Sequence, residues 1–294
     1  MSERLVEFGV HDWQGPVAPS IINQAIEALE TGKVVFLPKL AFLLKEAENQ
    51  FLSADIADPQ SKNVRYDIRT NALGGTTLTD DLRQGLQSMM NRFADSSRQL
   101  VEQLFPHYRG HIAQARTSFR PVEAQGRLSS YRKDDTRLHV DAFPATPTAG
   151  KRILRVFTNV NPKGVSRHWR VGEPFEKVVE QFIHRLPKPN RLAAKLLQIV
   201  NVTRGERTPY DHYMHHLHNA MKADLEYQKN ASQEDIYFPP GSTWLVFSDQ
   251  VSHAAMSGQY MFEQTFYLPV QGMQNEQFAP LRILERVTGR SLLK

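Results

Sequence analysis

Between residues 137 and 143 the chain reads RLHVDAF, so His139 and Asp141 alternate with apolar Leu138 and Val140. On an extended strand, residues i and i+2 project to the same face. An imidazole and a carboxylate set side by side among Leu138, Val140, Ala142 and Phe143 are costly to bury unless something satisfies them. A divalent metal would do so, given a third ligand from elsewhere. His253 is the best placed, in TWLVFSDQVSHAAMSG, after an apolar strand at Thr243–Phe247 bounded by the PPGS turn. Two histidines and one carboxylate with open positions form the facial arrangement of non-haem Fe(II) oxygenases. Taken singly, His-x-Asp also suits a salt-bridged surface strand, and His253 suits a core histidine bonded to backbone. Together the three favour the metal.

A second histidine group competes for attention. YDHYMHHLH (210–218) holds His212, His215, His216 and His218, and His212 and His216 stand at i and i+4. No acidic residue lies between them and there is no HExxH, so zinc hydrolase chemistry is not indicated. Met214, Leu217 and Met221 give the segment an apolar face. It reads as a helix packed on the core, with some histidines, His212 first, facing the substrate entrance.

The elements that must position these groups change character along the chain. In the first third, Ser20 is placed to cap a helix with Ile21, Ile22, Ala25, Ile26 and Leu29 on one stripe, ended by Gly32 and followed by the strand VVFLP. A second helix starts near Thr79–Asp80, buries Leu82, Leu86, Met89, Met90 and Phe93, and stops at Pro106. From about residue 110 short strands appear: RLSSYR, RLHVDAF, RILRVFTNV, IYFPPGSTWLVFSD and EQTFYLPV. Between them sits a helical insert of EPFEKVVEQFI, NRLAAKLLQIV and PYDHYMHHLHNAMKADLEYQ. Short strands with Gly/Pro turns indicate a sandwich, jelly roll or barrel, and the helices make the whole α+β.

Composition narrows the function classes. The 294 residues are 40% hydrophobic and 23% charged, an ordinary folding composition, and contain no Cys, which excludes disulfides, thiolate nucleophiles and Cys-based metal sites. The N-terminal stretch has no apolar h-region, and VVFLPKLAFLL is too short and too interrupted to span a bilayer, so a soluble or at most peripheral protein is expected. The net charge of +5 suits an anionic partner and is equally within the ordinary scatter for a chain of this size.

The triad on this strand pattern resembles the Fe(II)/2-oxoglutarate-dependent dioxygenases, whose HxD…H ligands lie on a double-stranded β-helix. RLSSYRKDDTRLHVDAFPATPTAGKRILRVFTNVNP, HWRVGEPFEKVVEQF and PPGSTWLVFSDQVSHAAMSGQ together resemble the bacterial Kdo hydroxylases, densely over residues 110–270. The resemblance implies hydroxylation at carbon 3 of the 3-deoxy-octulosonate (Kdo) sugar of the lipopolysaccharide inner core. It implies Fe(II), 2-oxoglutarate and O2, with ascorbate supportive. The implied fold is one α+β domain over 1–294. Its core is a jelly-roll, cupin-like double-stranded β-helix at 110–172 and 232–272. A mainly helical part at 1–109, a helical insert at 173–231, and a tail at 273–294 surround that core.

The distal carboxylate of 2-oxoglutarate needs a cation, and Arg suits it because its fork binds carboxylate through two hydrogen bonds. Many relatives place that cation ten or eleven residues after the last His. Those positions here are Glu263 and Gln264, and no Arg or Lys occurs between His253 and Arg282. The strand RILRVFTNV offers Arg155 in the more apolar setting, with Arg152 expected to face solvent. Arg127 is the next choice. Tyr131, Asn159 and Gln264 are expected hydrogen-bonding neighbours. Arg132, Lys133, Arg137, Arg167, Arg170 and His212 are candidates for an anionic acceptor; as solvated loop charges, the basic ones would need no ligand. The implied partner is a Kdo-bearing lipid A glycolipid at the cytoplasmic face of the inner membrane, with no nucleic acid and no obligate protein partner. Alternatives are a same-class hydroxylase of another small molecule or a protein, a cupin-like isomerase, and a non-enzymatic basic jelly roll. The last would need stacking aromatics among basic residues, and no such run occurs.

Overall fold

The structure is a computed structural model that describes residues 2–126, 130–190, 194–195, 198 and 203–293. Its frame is two sheets facing each other. The larger comprises β1 (Leu5–Glu7), β2 (Val34–Leu37), β3 (Val64–Asp67), β4 (Ala72–Gly74), β5 (Ala113–Arg120), β6 (Arg152–Asn159), β9 (Thr243–Phe247) and β11 (Met261–Leu268). Its order is β1-β2-β9-β6-β11-β5-β3-β4. Every pairing is antiparallel except β1 with β2. The smaller sheet has β7 (Arg167–Val171) between β10 (His253–Ser257) and β8 (Glu234–Phe238). This is the jelly-roll α+β class that the strand pattern indicates.

Alternation along the central strands sorts side chains into two layers. On β6, β9 and β11 one parity, Leu154, Val156, Leu245, Phe247 and Phe266, joins the core under the helices. The other parity, Phe157, Trp244, Val246 and Met261, meets Trp169, Val171, Ile236 and Phe238 of the small sheet. The rings of Phe238 and Trp244 stack with centroids 4.0 Å apart.

The helices cover the outer face of the large sheet. Helix α1 (Pro19–Glu30) starts with Pro19 in its first turn after Ala18, with no side-chain cap, so Ser20 lies inside the helix and is not its cap. Gly32, at φ +83, ends the turn that follows α1. Helix α2 (Asp80–Leu104) buries Leu86, Met89, Met90 and Phe93 against Phe119 and Phe262. Leu82, in its first turn, points to solvent instead. The N-terminal third is less helical than its sequence suggests, because β1 to β4 join the large sheet.

The insert contributes α3 (Phe175–Phe182), α4 (Pro209–Ala223) and α5 (Leu225–Asn230). The expected helix NRLAAKLLQIV lies largely outside the described residues. Thr208 and Asp211 form a capping box at the start of α4, and Asp211 also accepts from the Thr148 and Ala149 amides. The tail carries α6 (Pro280–Thr288). Among the described residues no helix is long and apolar enough to cross a membrane.

Two strand expectations fail. Of RLSSYR, residues 127–129 lie outside the described residues, and Tyr131–Lys133 is a 3-10 turn. RLHVDAF is extended but pairs only through a single bridge, His139 with His253. Arg152 does not face solvent: it is fully buried, with Nε 2.8 Å from Asp249 and the guanidinium over Phe247. A strand fourth in an eight-stranded sheet, covered on both faces, has no wet side.

Candidate metal centre

Leu138 and Val140 are buried in the core, which turns His139 and Asp141 the other way, into the space between the sheets. The bridge fixes this register: the His139 amide donates to the His253 carbonyl at 3.0 Å, and the His253 amide returns the bond at 2.9 Å. The Asp141 amide donates to the Ser248 carbonyl at 2.8 Å. One ligand atom each from His139, Asp141 and His253 lie within 4.8 Å of one another, the one such cluster among the described residues.

The helical insert braces this segment from behind. Gln228 of α5 accepts from the Leu138 amide at 2.7 Å and donates to the Leu138 carbonyl at 3.0 Å. Arg137 donates to the Lys222 carbonyl at 2.7 Å and pairs with Asp134 at 3.1 Å. Arg137 is thus committed to holding the loop and is not turned to the metal side, as strand periodicity would have it.

The histidine rings fit a metal. His139 Nδ1 lies 2.7 Å from the Arg137 carbonyl and His253 Nδ1 lies 2.8 Å from the Val251 carbonyl. A carbonyl only accepts, so Nδ1 carries the proton and Nε2 keeps its lone pair for a ligand. Trp169 stacks on His253 at 5.1 Å between centroids. Burial, then the neighbouring His253, holds His139 well below the usual imidazole range, and burial lowers His253 as well. Burial alone would raise Asp141, but the Arg155 charge, helped by a Ser248 hydrogen bond, outweighs it and holds the carboxyl low. All three groups therefore stand in the protonation state that a divalent cation requires.

A cavity of about 120 Å³ opens beside these ligands, between Arg155, Phe157, Arg120 and Met261 of the large sheet and Arg167, Trp169 and Ala255 of the small one. Arg155 Nη2 lies 2.8 Å from Asp141 Oδ2, an ion pair without the alignment of a hydrogen bond, and Nη1 lies 2.6 Å from Glu263. Arg155 Nε is buried with no hydrogen-bond partner. Glu263 also takes Arg120, so one buried carboxylate bridges two guanidiniums.

Several expected site residues lie elsewhere. Gln264 sits on the helix-facing side of β11, where its amide is used by Thr117, Ala115 and Thr265. Asn159 spends its amide on the Val165 and Phe238 carbonyls and the Asn161 amide. Tyr131 and Arg132 are exposed and contact each other. Arg170 points to the outer face of the small sheet and pairs with Asp235. His212 reaches the Pro187 carbonyl, away from the cavity. The histidine of α4 that approaches the centre is His218, with its ring 5.3 Å from that of His139. Arg127 lies outside the described residues. Lys133 lines a second chamber that shares Arg120, Asp135 and Arg167 with the first.

Sequence reasoning missed Arg120, Glu263 as a bridging anion, Asp135, Trp169, His218 and Lys222. Parity held the signal for Glu263: β11 pairs Thr265 with Arg155 and Glu263 with Phe157, so Glu263 shares their face.

Comparison with known proteins agrees with this geometry. The family model for 3-deoxy-D-manno-oct-2-ulosonic acid (Kdo) hydroxylase matches residues 12–291. No curated protein matches. A crystal structure of the Kdo hydroxylase KdoO, a non-haem Fe(II) α-ketoglutarate-dependent dioxygenase in complex with α-ketoglutarate and Fe(III), is 43% identical with a TM-score of 0.95, covering 99% of this chain and 97% of that one. Its apo structure is 44% identical with a TM-score of 0.96, covering 99% and 98%. The complex with succinate and Fe(III) is 43% identical with a TM-score of 0.96, over the same shares. The model match over nearly the whole chain, together with these likenesses, shows that the chain belongs to the Kdo hydroxylase family.

Proposed function

We propose that this chain carries out the reaction of its family, Fe(II)- and 2-oxoglutarate-dependent hydroxylation of Kdo, with His139, Asp141 and His253 as the iron ligands. The observation that carries the assignment is the convergence of those three groups within 4.8 Å on one cavity between the sheets. The chemistry supplied by the bound metal and its co-substrate is activation of O2 and insertion of one oxygen atom into a C–H bond.

The chain's own residues supply the rest. The Arg137 and Val251 carbonyls hold the imidazoles in the ligating tautomer. Arg155 is the clamp for the 2-oxoglutarate carboxylate, supported by its burial in the cavity wall and its unused Nε donor. Glu263 and Asp141 hold that guanidinium in place before the co-substrate arrives. Phe157, Trp169 and Met261 supply the apolar part of the cavity wall.

The acceptor on this reading is a Kdo-bearing lipid A glycolipid hydroxylated at carbon 3, met at the cytoplasmic face of the inner membrane, with ascorbate sustaining turnover. Purified protein with Fe(II), 2-oxoglutarate, ascorbate and Kdo-lipid A should add one oxygen atom to the Kdo sugar, read by mass spectrometry. No added oxygen, with succinate released only slowly, would contradict the acceptor assignment.

A further inference from the structure

Outside the metal chamber lies a second chamber of about 150 Å³, and the two share the side chains of Arg120, Asp135 and Arg167 as a common wall. Among the described residues Lys62 and Lys133 are the outer chamber's other cations. Its other carboxylate, Asp134, is turned into its own loop by Thr136 at 2.6 Å and Arg137 at 3.1 Å. Lys62 comes from the segment before β3, far from the metal ligands in sequence. Its Nζ donates to the Lys133 carbonyl at 2.6 Å and lies 3.3 Å from Asp135 Oδ2, so it closes the gap between two walls. It also borders a larger cavity of about 550 Å³ that continues outward past Ala57, Gln60 and Thr77.

From this arrangement we infer that the outer chamber is the subsite for the acceptor sugar's carboxylate, and that Lys62 is the residue that recognises it. The inference rests on the Kdo reading of the metal centre and deepens it. In a 3-deoxy-2-ulosonic acid the carboxylate is borne on carbon 2, next to the carbon that is hydroxylated. An anion subsite must therefore adjoin the metal chamber directly, and a shared wall provides that. Arg120 is committed to Glu263 and Arg167 to the Gly258 carbonyl, which leaves Lys62 and the exposed Lys133 as the mobile donors, and of these two it is Lys62 that faces Asp135 of the shared wall and borders the larger cavity. Lys62 is held by a half-exposed pair, at 42% and 37% side-chain exposure, on a long flexible stem. An incoming carboxylate can take it from Asp135 without leaving a buried charge unpaired. The larger cavity then leads the rest of the glycolipid to the surface.

The test compares wild type with Lys62→Ala and Lys62→Arg, using Kdo-lipid A and the same acceptor with its Kdo carboxyl reduced to the alcohol. Lys62→Ala should raise KM for Kdo-lipid A at least about tenfold, the worth of one charge-assisted hydrogen bond, with a small change in kcat. Lys62→Arg should recover part of the loss. Wild type should prefer the carboxylate over the alcohol, and Lys62→Ala should lose that preference. Unchanged KM, or an unchanged preference for the carboxylate in Lys62→Ala, would overturn the subsite. So would a loss of 2-oxoglutarate binding in that variant, which would make Lys62 a structural residue. Wild type that turns over neither acceptor would instead count against the Kdo reading itself.

Discussion

His139 and His253 are each aimed by a single backbone carbonyl, and Asp141 is balanced between burial and Arg155. Replacing Asp141 by Ala removes the anionic ligand, and turnover should fall below detection. Arg155→Ala should instead raise the 2-oxoglutarate requirement by about tenfold or more, with Fe(II) affinity less affected; unchanged 2-oxoglutarate affinity would move the clamp to another residue. The pH dependence has a definite sign. Both histidines are depressed by burial, so unfolded imidazoles bind protons that the folded ones refuse. Their contribution to stability is complete above the unfolded value of about 6.5 and is lost as pH falls from there toward the lower folded values. Asp141 and Glu263, held low, add to the loss further into acid. Urea denaturation of the metal-free protein across that range should show the decline, and a stability rising as pH falls would contradict it. At this scale the triad was legible in the sequence, because alternation around Leu138 and Val140 is local. Gln264 was misplaced because sequence alone does not say which parity of β11 faces inward.

Among the elements, the insert proves to be a brace on the metal segment over its C-terminal half. Gln228 satisfies both backbone groups of Leu138, which the single bridge at His139 leaves unpaired on that side. Gln228→Ala should cost about 1–3 kcal/mol in urea unfolding and weaken Co(II) binding, since the ligand segment loses its backing. An unchanged Co(II) affinity would mean that the bridge alone positions His139. In the helix-covered layer, Phe93 packs between Trp13, Phe42 and Phe262, with centroids 6.0, 5.2 and 4.9 Å away. Phe93→Ala should cost about 3–5 kcal/mol and leave the metal ligands intact. Strands β6, β9 and β11 and helix α2 were readable because their apolar periodicity is strong. RLHVDAF looked like a strand because its alternation is real; that it pairs at one residue only is decided by its neighbours. Arg152 was misread for the same reason: whether a strand has a wet face depends on what covers it.

For the whole molecule, the two sheets do different work. The helix-covered layer holds the large sheet, and the space between the sheets holds the chemistry. The jelly-roll class followed from the texture of short strands, and VVFLP was legible as a strand, but the joining of β1 to β4 into the large sheet was not, because β2 pairs with β9 and β3 with β5 across long stretches of chain. The same distance hid Lys62 and Arg120. The proposed docking to an anionic leaflet is compatible with the net charge of +5, which does not by itself call for it. Binding to anionic vesicles should weaken steadily as salt rises, since the Debye length shrinks to about 3 Å at 1 M; no binding at low salt would remove the membrane from the account. The central claim is that His139, Asp141 and His253 hold iron with 2-oxoglutarate beside Arg155. Its most direct test is anaerobic titration of the protein with Fe(II) and 2-oxoglutarate, following the visible charge-transfer absorption of the chelated iron. Wild type should develop the band, and His139→Ala and His253→Ala should not; a wild type without it, or a band unchanged in both variants, would contradict the claim.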